Sequence, residues 1–408
     1  MSSACRRFGP WLRSWLLVTL ALGPLGCSRP PTTFDDASPP FVFRSLNLKQ
    51  QDERGQPTWA LTSPEARYDI RRRVAQARSP QGIIYVAGKP LYRLQATSGT
   101  VINDGEVIVL EGGIRVERHG AQPVLITARR ARWLPSKNLL RIDRAPMAED
   151  GLHRLGAQRA RFLFDRDRLE LEGAPRIERW GQPSDPFSRQ LRTNPEVVAL
   201  PQKLTWQPGQ GDLEAEGPLR ITRLPPGRSP QALPQTLTAA GLNGNTRQQR
   251  YQLKAPVQVR DPIEKFDLDG QNLQLDGAAQ TLSSDQVFSG RWKELTVGGN
   301  SLVIETRQTT ATIPFGCRLQ RQGESLSARL CRWNWQDETL FAEGDVDYQR
   351  TAQRQRIQAG QLTGRLGPEG EFNVSTPGGR VISSFAVPRR QRPLPPAPAR
   401  PKPEPLRL

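Results

Sequence analysis

The chain repeats one unit, whose clearest copy is LQATSGTVINDGEVIVLEGGIRVER (Leu94–Arg118). Apolar residues alternate with polar ones on both sides of a turn at Asn103-Asp104-Gly105, and a glycine corner follows at Gly112-Gly113. Period-two alternation bounded by Asp-Gly and Gly-Gly is typical of short antiparallel strands that bury one face. The stretch therefore predicts an all-β fold.

Looser copies of this unit recur at a spacing of about 30 residues, which is the signature of a repeat array. They begin near Ile126, Leu155, Leu204, Leu237 and Leu326. In such an array each unit buries its apolar face only against its neighbours. We expect an extended or tandem arrangement of short antiparallel strands, with the clearest repeats before residue 222.

Composition agrees with a β-rich chain and argues against several classes of protein. The 408 residues are 36% hydrophobic, and 37 prolines and 35 glycines interrupt the helical spacing of apolar residues. The net charge of +18 comes almost entirely from arginine. Either a coding bias or contacts with anionic groups explains it, since arginine suits phosphate and carboxylate. The arginines are dispersed and no nucleic-acid motif is present, which disfavours nucleic-acid binding.

Five segments follow from the composition. They are a signal or lipoprotein-type segment (1–27), a Pro/Ser/Asp linker (28–40), a first β array (41–180), a second β array (181–387) and a Pro/Arg-rich tail (388–408) that we expect to be disordered. The pattern leaves open whether the second array is a separate jellyroll or an extension of the first.

The first segment has arginines before a short apolar core and ends in Gly26-Cys27. A cysteine after a small residue at such a place indicates a bacterial lipoprotein site, with the Cys27 thiol acylated. A plain secretory signal and an uncleaved anchor are the alternatives. Each of the three carries the mature chain across a membrane.

Two cysteines remain in the β arrays, Cys317 and Cys331. In an exported protein they form either a disulfide or two buried free thiols. No metal-ligand spacing surrounds them, and neither His119 nor His153 accompanies a nucleophile motif. We therefore expect no catalysis, no metal and no cofactor.

The apolar face of the repeats predicts a groove or, equally, a closed core, because periodicity alone does not separate the two. An open groove lined this way would suit acyl chains, with arginines at its rim for an anionic head group. Trp133 and Trp206 take equivalent places and would flank its opening. The predicted lining residues are Leu94, Val107, Val109, Ile114, Val116, Ile126, Leu140, Ile142, Phe162, Leu169, Leu171 and Ile177.

Residues 46–179 resemble the LptC family of lipopolysaccharide-export proteins, which share the OstA-like β-jellyroll. The motifs that carry the resemblance are Trp59-Ala60-Leu61, Ala66-Arg67-Tyr68, Leu110-Glu111-Gly112, Arg141-Ile142-Asp143 and Leu171-Glu172-Gly173. The chain is much longer than one such domain and has Cys27 where a full membrane-spanning helix is usual.

The resemblance implies a periplasmic protein anchored to the inner membrane through its N-terminus. It would take lipopolysaccharide from the permeases of an inner-membrane ABC transporter and relay it to bridge and outer-membrane export proteins. Jellyrolls join through open strands, which implies a receiving edge near residues 59–68 and a donating edge near residues 372–382. A non-catalytic envelope scaffold with a closed core is the alternative. A polysaccharide-processing enzyme using a carboxylate pair, Asp165 with Asp167 or Asp267 with Asp269, is disfavoured. Both pairs lie in strand-and-turn contexts flanked by arginine or leucine, where solvated charges are common.

Overall fold

The structure, a computed structural model, describes residues 41–188, 194–224, 229, 232–352, 354–365 and 371–385. The predicted targeting segment with Cys27, the linker and the tail at 388–408 lie outside these residues. Within the described ranges, no helix combines the length and the apolar character needed to cross a bilayer.

The described residues are almost entirely β-strand, which confirms the predicted all-β class. Two single turns of 3-10 helix occur, at Asn103–Gly105 and Pro135–Lys137. The strands are β1 (Phe41–Phe43), β2 (Leu46–Gln51), β3 (Pro57–Ser63), β4 (Glu65–Asp69), β5 (Val74–Arg78), β6 (Gln81–Val86), β7 (Lys89–Gln95), β8 (Ser98–Ile102), β9 (Val107–Arg118), β10 (Val124–Leu134), β11 (Leu139–Arg144), β12 (Met147–Glu149), β13 (His153–Gly156), β14 (Arg159–Leu163), β15 (Arg168–Glu172), β16 (Arg176–Arg179), β17 (Val197–Leu200), β18 (Lys203–Gln207), β19 (Asp212–Arg223), β20 (Gln235–Asn245), β21 (Arg250–Lys254), β22 (Val257–Asp261), β23 (Phe266–Gly270), β24 (Gln274–Asp276), β25 (Thr281–Ser284), β26 (Phe288–Trp292), β27 (Leu295–Gly299), β28 (Leu302–Glu305), β29 (Thr310–Ile313), β30 (Cys317–Arg321), β31 (Glu324–Ala328), β32 (Leu330–Asn334), β33 (Thr339–Arg350), β34 (Gln355–Arg365), β35 (Phe372–Ser375) and β36 (Ile382–Phe385).

Strand pairing divides the sheet into two antiparallel walls. In order of pairing, wall A contains β1, β4, β5, β8, β9, β10, β11, β14, β15, β18, β19, β20, β21, β24, β25, β28, β29, β32, β33, β34 and β35. Wall B contains β2, β3, β6, β7, β9, β10, β12, β13, β16, β17, β19, β20, β22, β23, β26, β27, β30, β31, β33, β34 and β36.

The chain passes from one wall to the other always along the same edge, which we call the seam. The long strands make this passage within one strand: β9 pairs with β8 up to Glu111 and with β7 from Arg115 onward. Hairpin turns within a wall lie along the opposite edge, which we call the mouth. Within the described residues, no backbone connection therefore crosses the mouth, and only side chains can hold the two walls together there.

The walls continue across residue 181, where the sequence analysis places a domain boundary. Strand β15 pairs with β18 through Leu171 and Leu204, and β16 pairs with β17 through Ile177 and Ala199. The second array thus extends the same two walls rather than beginning a separate sheet.

Glycine corners mark the seam and explain the repeated glycine in the sequence. Gly112 has a φ of +72°, and its carbonyl accepts a hydrogen bond of 2.8 Å from the Thr97 N–H. The same contact recurs between Gly344 and Arg329 at 2.8 Å. The corners of successive units thus stack on one another along the seam, and each corner fixes where a strand changes walls.

We predict that Gly112→Ala destabilises the protein more than Gly55→Ala does. Both glycines have positive φ, +72° and +76°, so both substitutions carry the left-handed penalty of about 1–2 kcal/mol. A Cβ at Gly112 would also lie 3.0 Å from the Thr97 Cβ, whereas one at Gly55 meets nothing within 4 Å. Urea unfolding should give the Gly112 variant the lower free energy of unfolding; equal losses would contradict the corner packing.

Candidate functional site

The two walls turn their apolar side chains toward each other and form one continuous interior, which we call the trough. Of the twelve predicted lining residues, ten are buried in it, and their capacity to bind a lipid stays a prediction. They are Leu94, Ile114, Val116, Ile126, Leu140, Ile142, Phe162, Leu169, Leu171 and Ile177.

The prediction that Val107 and Val109 line the trough is wrong. Both are only half-buried, whereas Ile108 and Leu110 are fully buried and take their places in the trough. Alternation in β9 continues unchanged through the glycine corner, so Ile108 and Leu110 share a face with Ile114. The register shifts here, because three residue steps in β9 (Glu111 to Ile114) oppose two in β10 (Ala128 to Arg130), so the alternation reverses in β10 alone. A corner therefore does not reset the pattern on both strands.

Aromatic side chains meet across the mouth at intervals along the walls. Trp59 of wall B packs edge-on against Trp133 of wall A, with ring centroids 5.4 Å apart. Further along, Trp292 of wall B contacts Trp333 of wall A at 4.3 Å. We call these pairs cross-mouth contacts; the others join Tyr92 to Phe162 and Phe164 at 5.3 Å each, and Tyr348 to Phe372 at 5.1 Å.

The two tryptophans predicted to flank an opening are both buried. Trp133 is 1% exposed and forms one side of a cross-mouth contact. Trp206 is also 1% exposed, and its Nε1–H donates a 3.4 Å hydrogen bond to Thr246 Oγ1 within wall A. The trough in this first half is therefore filled by its own side chains.

A polar cross-mouth contact centres on Asp167, in the turn between β14 and β15 of wall A. Its carboxylate accepts hydrogen bonds from the Tyr92 hydroxyl of wall B and from the Gly209 N–H, and it lies 4.0 Å from Arg118 Nε of wall B. Burial raises the pKa of Asp167, although the hydrogen bonds and Arg118 oppose this effect. Burial also raises the pKa of Tyr92, so the hydroxyl remains a donor.

A second polar contact across the mouth joins His153 of wall B to Tyr251 of wall A. The Tyr251 hydroxyl lies 3.2 Å from His153 Nε2, and His153 Nδ1 lies 3.2 Å from Asp150. Burial raises the pKa of Tyr251 to about 12. Burial also works against the charged form of Asp150, but hydrogen bonds from His153 and the backbone together hold the pKa of Asp150 below its ordinary value.

The trough is looser in the second half of the chain. Several of its lining side chains are only half-buried there, and a cavity of about 40 Å³ lies beneath the Trp292–Trp333 contact. Its lining is apolar apart from Arg291. The half-buried lining residues of this half include Val259, Phe266, Leu282, Val297 and Ile304.

Cys317 and Cys331 form a disulfide in the structure. Cys317 begins β30 in wall B, and Cys331 lies near the start of β32 in wall A, so both are close to the seam. The disulfide thus joins the walls at the edge where the chain already connects them, and it leaves the mouth free of covalent links among the described residues.

The carboxylate pairs considered for catalysis serve structural contacts. Asp167 belongs to the polar cross-mouth contact, and Asp165 is half-exposed beside it. Asp267 lies 3.3 Å from Arg260, and Asp269 accepts a 2.8 Å hydrogen bond from the same guanidinium. Within the described ranges, no three His, Cys, Asp or Glu side chains group closely enough to hold a metal.

Fold and site together define an all-β jellyroll with an apolar interior between two walls. Residues 12–174 match the family model described as Lipopolysaccharide-assembly, LptC-related, which confirms the family resemblance over that part of the chain. Among curated proteins, no sequence match is found.

Among solved structures, the chain is similar to the crystal structure of LptH, the LptA homologous periplasmic component of the lipopolysaccharide transport device from Pseudomonas aeruginosa. The sequences are 13% identical, and the match covers 35% of this chain and 93% of that one, with a TM-score of 0.25.

We predict that Asp167→Asn changes how stability depends on pH. A raised pKa in the folded state means that the folded protein holds the Asp167 proton more tightly than the unfolded chain does. Protonated Asp167 therefore adds to the free energy of unfolding. This contribution is complete below the ordinary pKa of 3.8 and is lost as the pH rises through the pKa of Asp167 in the folded protein. The Asn variant should lack this decline.

Urea unfolding at a series of pH values measures the effect, with Asp165→Asn as the matched control. Asp165 lies two residues away, but its side chain is 49% exposed and forms an ion pair with its neighbour Arg166. Parallel pH profiles for the wild type and Asp167→Asn would show that burial of this carboxyl does not make the stability of the protein depend on pH.

Proposed function

We propose that this protein is a periplasmic component of lipopolysaccharide transport. It binds the acyl chains of the lipid in the trough and relays the lipid from an inner-membrane ABC transporter toward the outer membrane. The match of residues 12–174 to the LptC-related family is the observation that carries the proposal.

The trough has the properties that such a carrier needs. Its lining is apolar along both walls, and a hydrocarbon chain has no hydrogen-bonding groups that the lining would need to satisfy. The walls are joined by backbone only at the seam, so a lipid can enter from the mouth without breaking a strand pair. In this proposal Leu94, Ile114, Val116, Ile126, Leu140, Ile142, Phe162, Leu169, Leu171 and Ile177 contact acyl chains, together with Ile108 and Leu110.

The ends of the walls offer strands for docking. At one end β1 and β2 are the outermost strands of the described residues, and Phe41, Val42 and Phe43 of β1 are 57%, 60% and 45% exposed. The receiving edge predicted at residues 59–68 is wrong, because β3 and β4 there are paired on both sides. We assign the receiving role to β1 and β2 instead.

The donating edge at the other end consists of β35 and β36. Ile382 and Phe385 of β36 are 56% and 65% exposed, and a strand that is paired on one side only can add a strand from a partner. The partners in this proposal are the transporter permeases at β1 and β2 and a bridge protein leading to the outer membrane at β35 and β36. The N-terminal segment would anchor the chain to the inner membrane, with acylated Cys27 as one form of anchor.

A closed envelope scaffold is the second candidate. The observation that favours it is the tight packing of the first half, where Leu94, Leu140 and Phe162 are each 0% exposed. A scaffold would keep this core permanently shut, so loss of the protein would leave lipopolysaccharide delivery intact.

Photo-cross-linking in cells separates the two candidates. We predict that a photoreactive residue at Leu110, Ile142 or Leu171 captures lipopolysaccharide. Adjacent outward-facing positions serve as matched controls, Val109 beside Leu110 and Arg141 beside Ile142, because each pair shares one strand and differs only in the face it presents. Equal capture at inward and outward positions, or none at inward ones, would favour the closed scaffold.

A further inference from the structure

The contact between Trp292 and Trp333 is packed differently from the contact between Trp59 and Trp133. In the first half of the chain Trp59 and Trp133 are 7% and 1% exposed, whereas Trp292 and Trp333 are only half-buried. The cavity of about 40 Å³ lies directly against both rings. The mouth is therefore more loosely packed here than at Trp59 and Trp133, and the place lies about 120 residues beyond the part of the chain that matches the family.

Trp333 also has an unused hydrogen-bond donor at this place. Its Nε1 atom is buried and finds no acceptor among the described residues. A buried donor without a partner destabilises the folded state, and most such groups in proteins are satisfied. An oxygen atom carried by a guest in the mouth would remove that cost.

A weak ion pair spans the mouth beside the rings. Lys293 of wall B lies 3.7 Å from Glu338 of wall A, and the two side chains are 52% and 48% exposed. The Lys293 ammonium also lies 4.2 Å from the centroid of the Trp292 ring. Exposed ion pairs contribute little to stability, so opening the walls here costs little electrostatic energy and frees a cation at the rim.

We propose that the Trp292–Trp333 contact is a side port at which the acyl chain of an anionic amphiphile enters the trough. The chain inserts between the rings into the apolar cavity, its ester or acid oxygen accepts the hydrogen bond from Trp333 Nε1–H, and Lys293 binds the anionic head group. The port rests on the proposed function, because it names where a lipid gains access to the same interior.

The chemistry of the cavity selects a hydrocarbon chain as the occupant. Its lining side chains are apolar except for Arg291, and Arg291 donates a hydrogen bond to Asp267. A peptide in this space would leave its backbone groups without partners, whereas binding of an acyl chain is favoured by each methylene group removed from water.

The cavity is smaller than an acyl chain, so the walls must separate for the chain to enter. The disulfide between Cys317 and Cys331 holds the walls together at the seam near the port. Separation is therefore expected at the mouth, as a rotation of the walls about the seam, with the Lys293–Glu338 pair and the two rings moving apart first.

Quenching of tryptophan fluorescence by stearic acid brominated at mid-chain tests the port, with the purified full chain and the acid kept below its micelle-forming concentration. Bromine quenches only rings that it touches. The chain has nine tryptophans, so each double variant to Phe reports one pair by difference. We expect Trp292→Phe with Trp333→Phe to lose the quenched component, and Trp59→Phe with Trp133→Phe to keep it.

A second arm leaves all tryptophans in place. Glu338→Gln removes the ion pair across the mouth and should speed the onset of quenching. Glu216→Gln is the matched control, because Glu216 pairs with Lys203 at 3.8 Å within wall A and should not change the rate. An excess of unbrominated stearic acid should abolish quenching in every variant that shows it.

Three results would overturn the port. They are quenching that survives in the Trp292/Trp333 variant, quenching that disappears in the Trp59/Trp133 variant instead, and no quenching of the wild type. None of these results would contradict capture of lipopolysaccharide at Ile142 and Leu171 in cells. Failure of the port is thus distinguishable from failure of the transport proposal.

Discussion

The structure depends on one constraint, which is that the backbone joins the two walls only along the seam. Each wall is held together by a continuous antiparallel ladder, so both walls are rigid in the direction of strand pairing. Nothing but side chains closes the mouth in the described part of the chain. The aromatic pairs there are worth about 0.5–1.5 kcal/mol each beyond the area they bury, which is small compared with the ladders. Opening of the mouth therefore breaks side-chain contacts but no strand pair.

The glycine corner is the part of this design that the sequence reveals best. The corner is repeated, and it needs a positive φ. It also lies where a run of alternating residues is interrupted. The strands and their approximate ends can therefore be predicted from it. Its effect on the register could not be predicted. At Gly112 the alternation of β9 continues while that of the partner strand β10 reverses, and β19 with β20 and β33 with β34 repeat this asymmetry. Only the pairing of β9 with β10 tells which of Val109 and Leu110 faces the trough.

The contacts across the mouth were invisible in the sequence for a related reason. Tyr92 and Asp167 are separated by 75 residues, and His153 and Tyr251 by 98. Each residue looks ordinary in its own repeat: Asp167 reads as a charged turn residue, and His153 as a histidine beside a glycine-bearing turn. Which repeats face each other depends on the number of strands that each wall contributes between them, and no local pattern encodes that number.

A filled interior is compatible with a carrier if the guest replaces the contacts that it displaces. When the walls separate without a guest, apolar side chains such as Leu268 and Leu340 enter water, and the cost rises with the area exposed, at roughly 25 cal/mol per Å². An acyl chain between the walls covers the same side chains and buries its own methylene groups as well. The exchange is then favourable as long as burial of the hydrocarbon contributes more free energy than the lost contacts between the walls did. That balance is easiest to reach where packing is already loose, which in this chain is the second half and not the tightly filled first half.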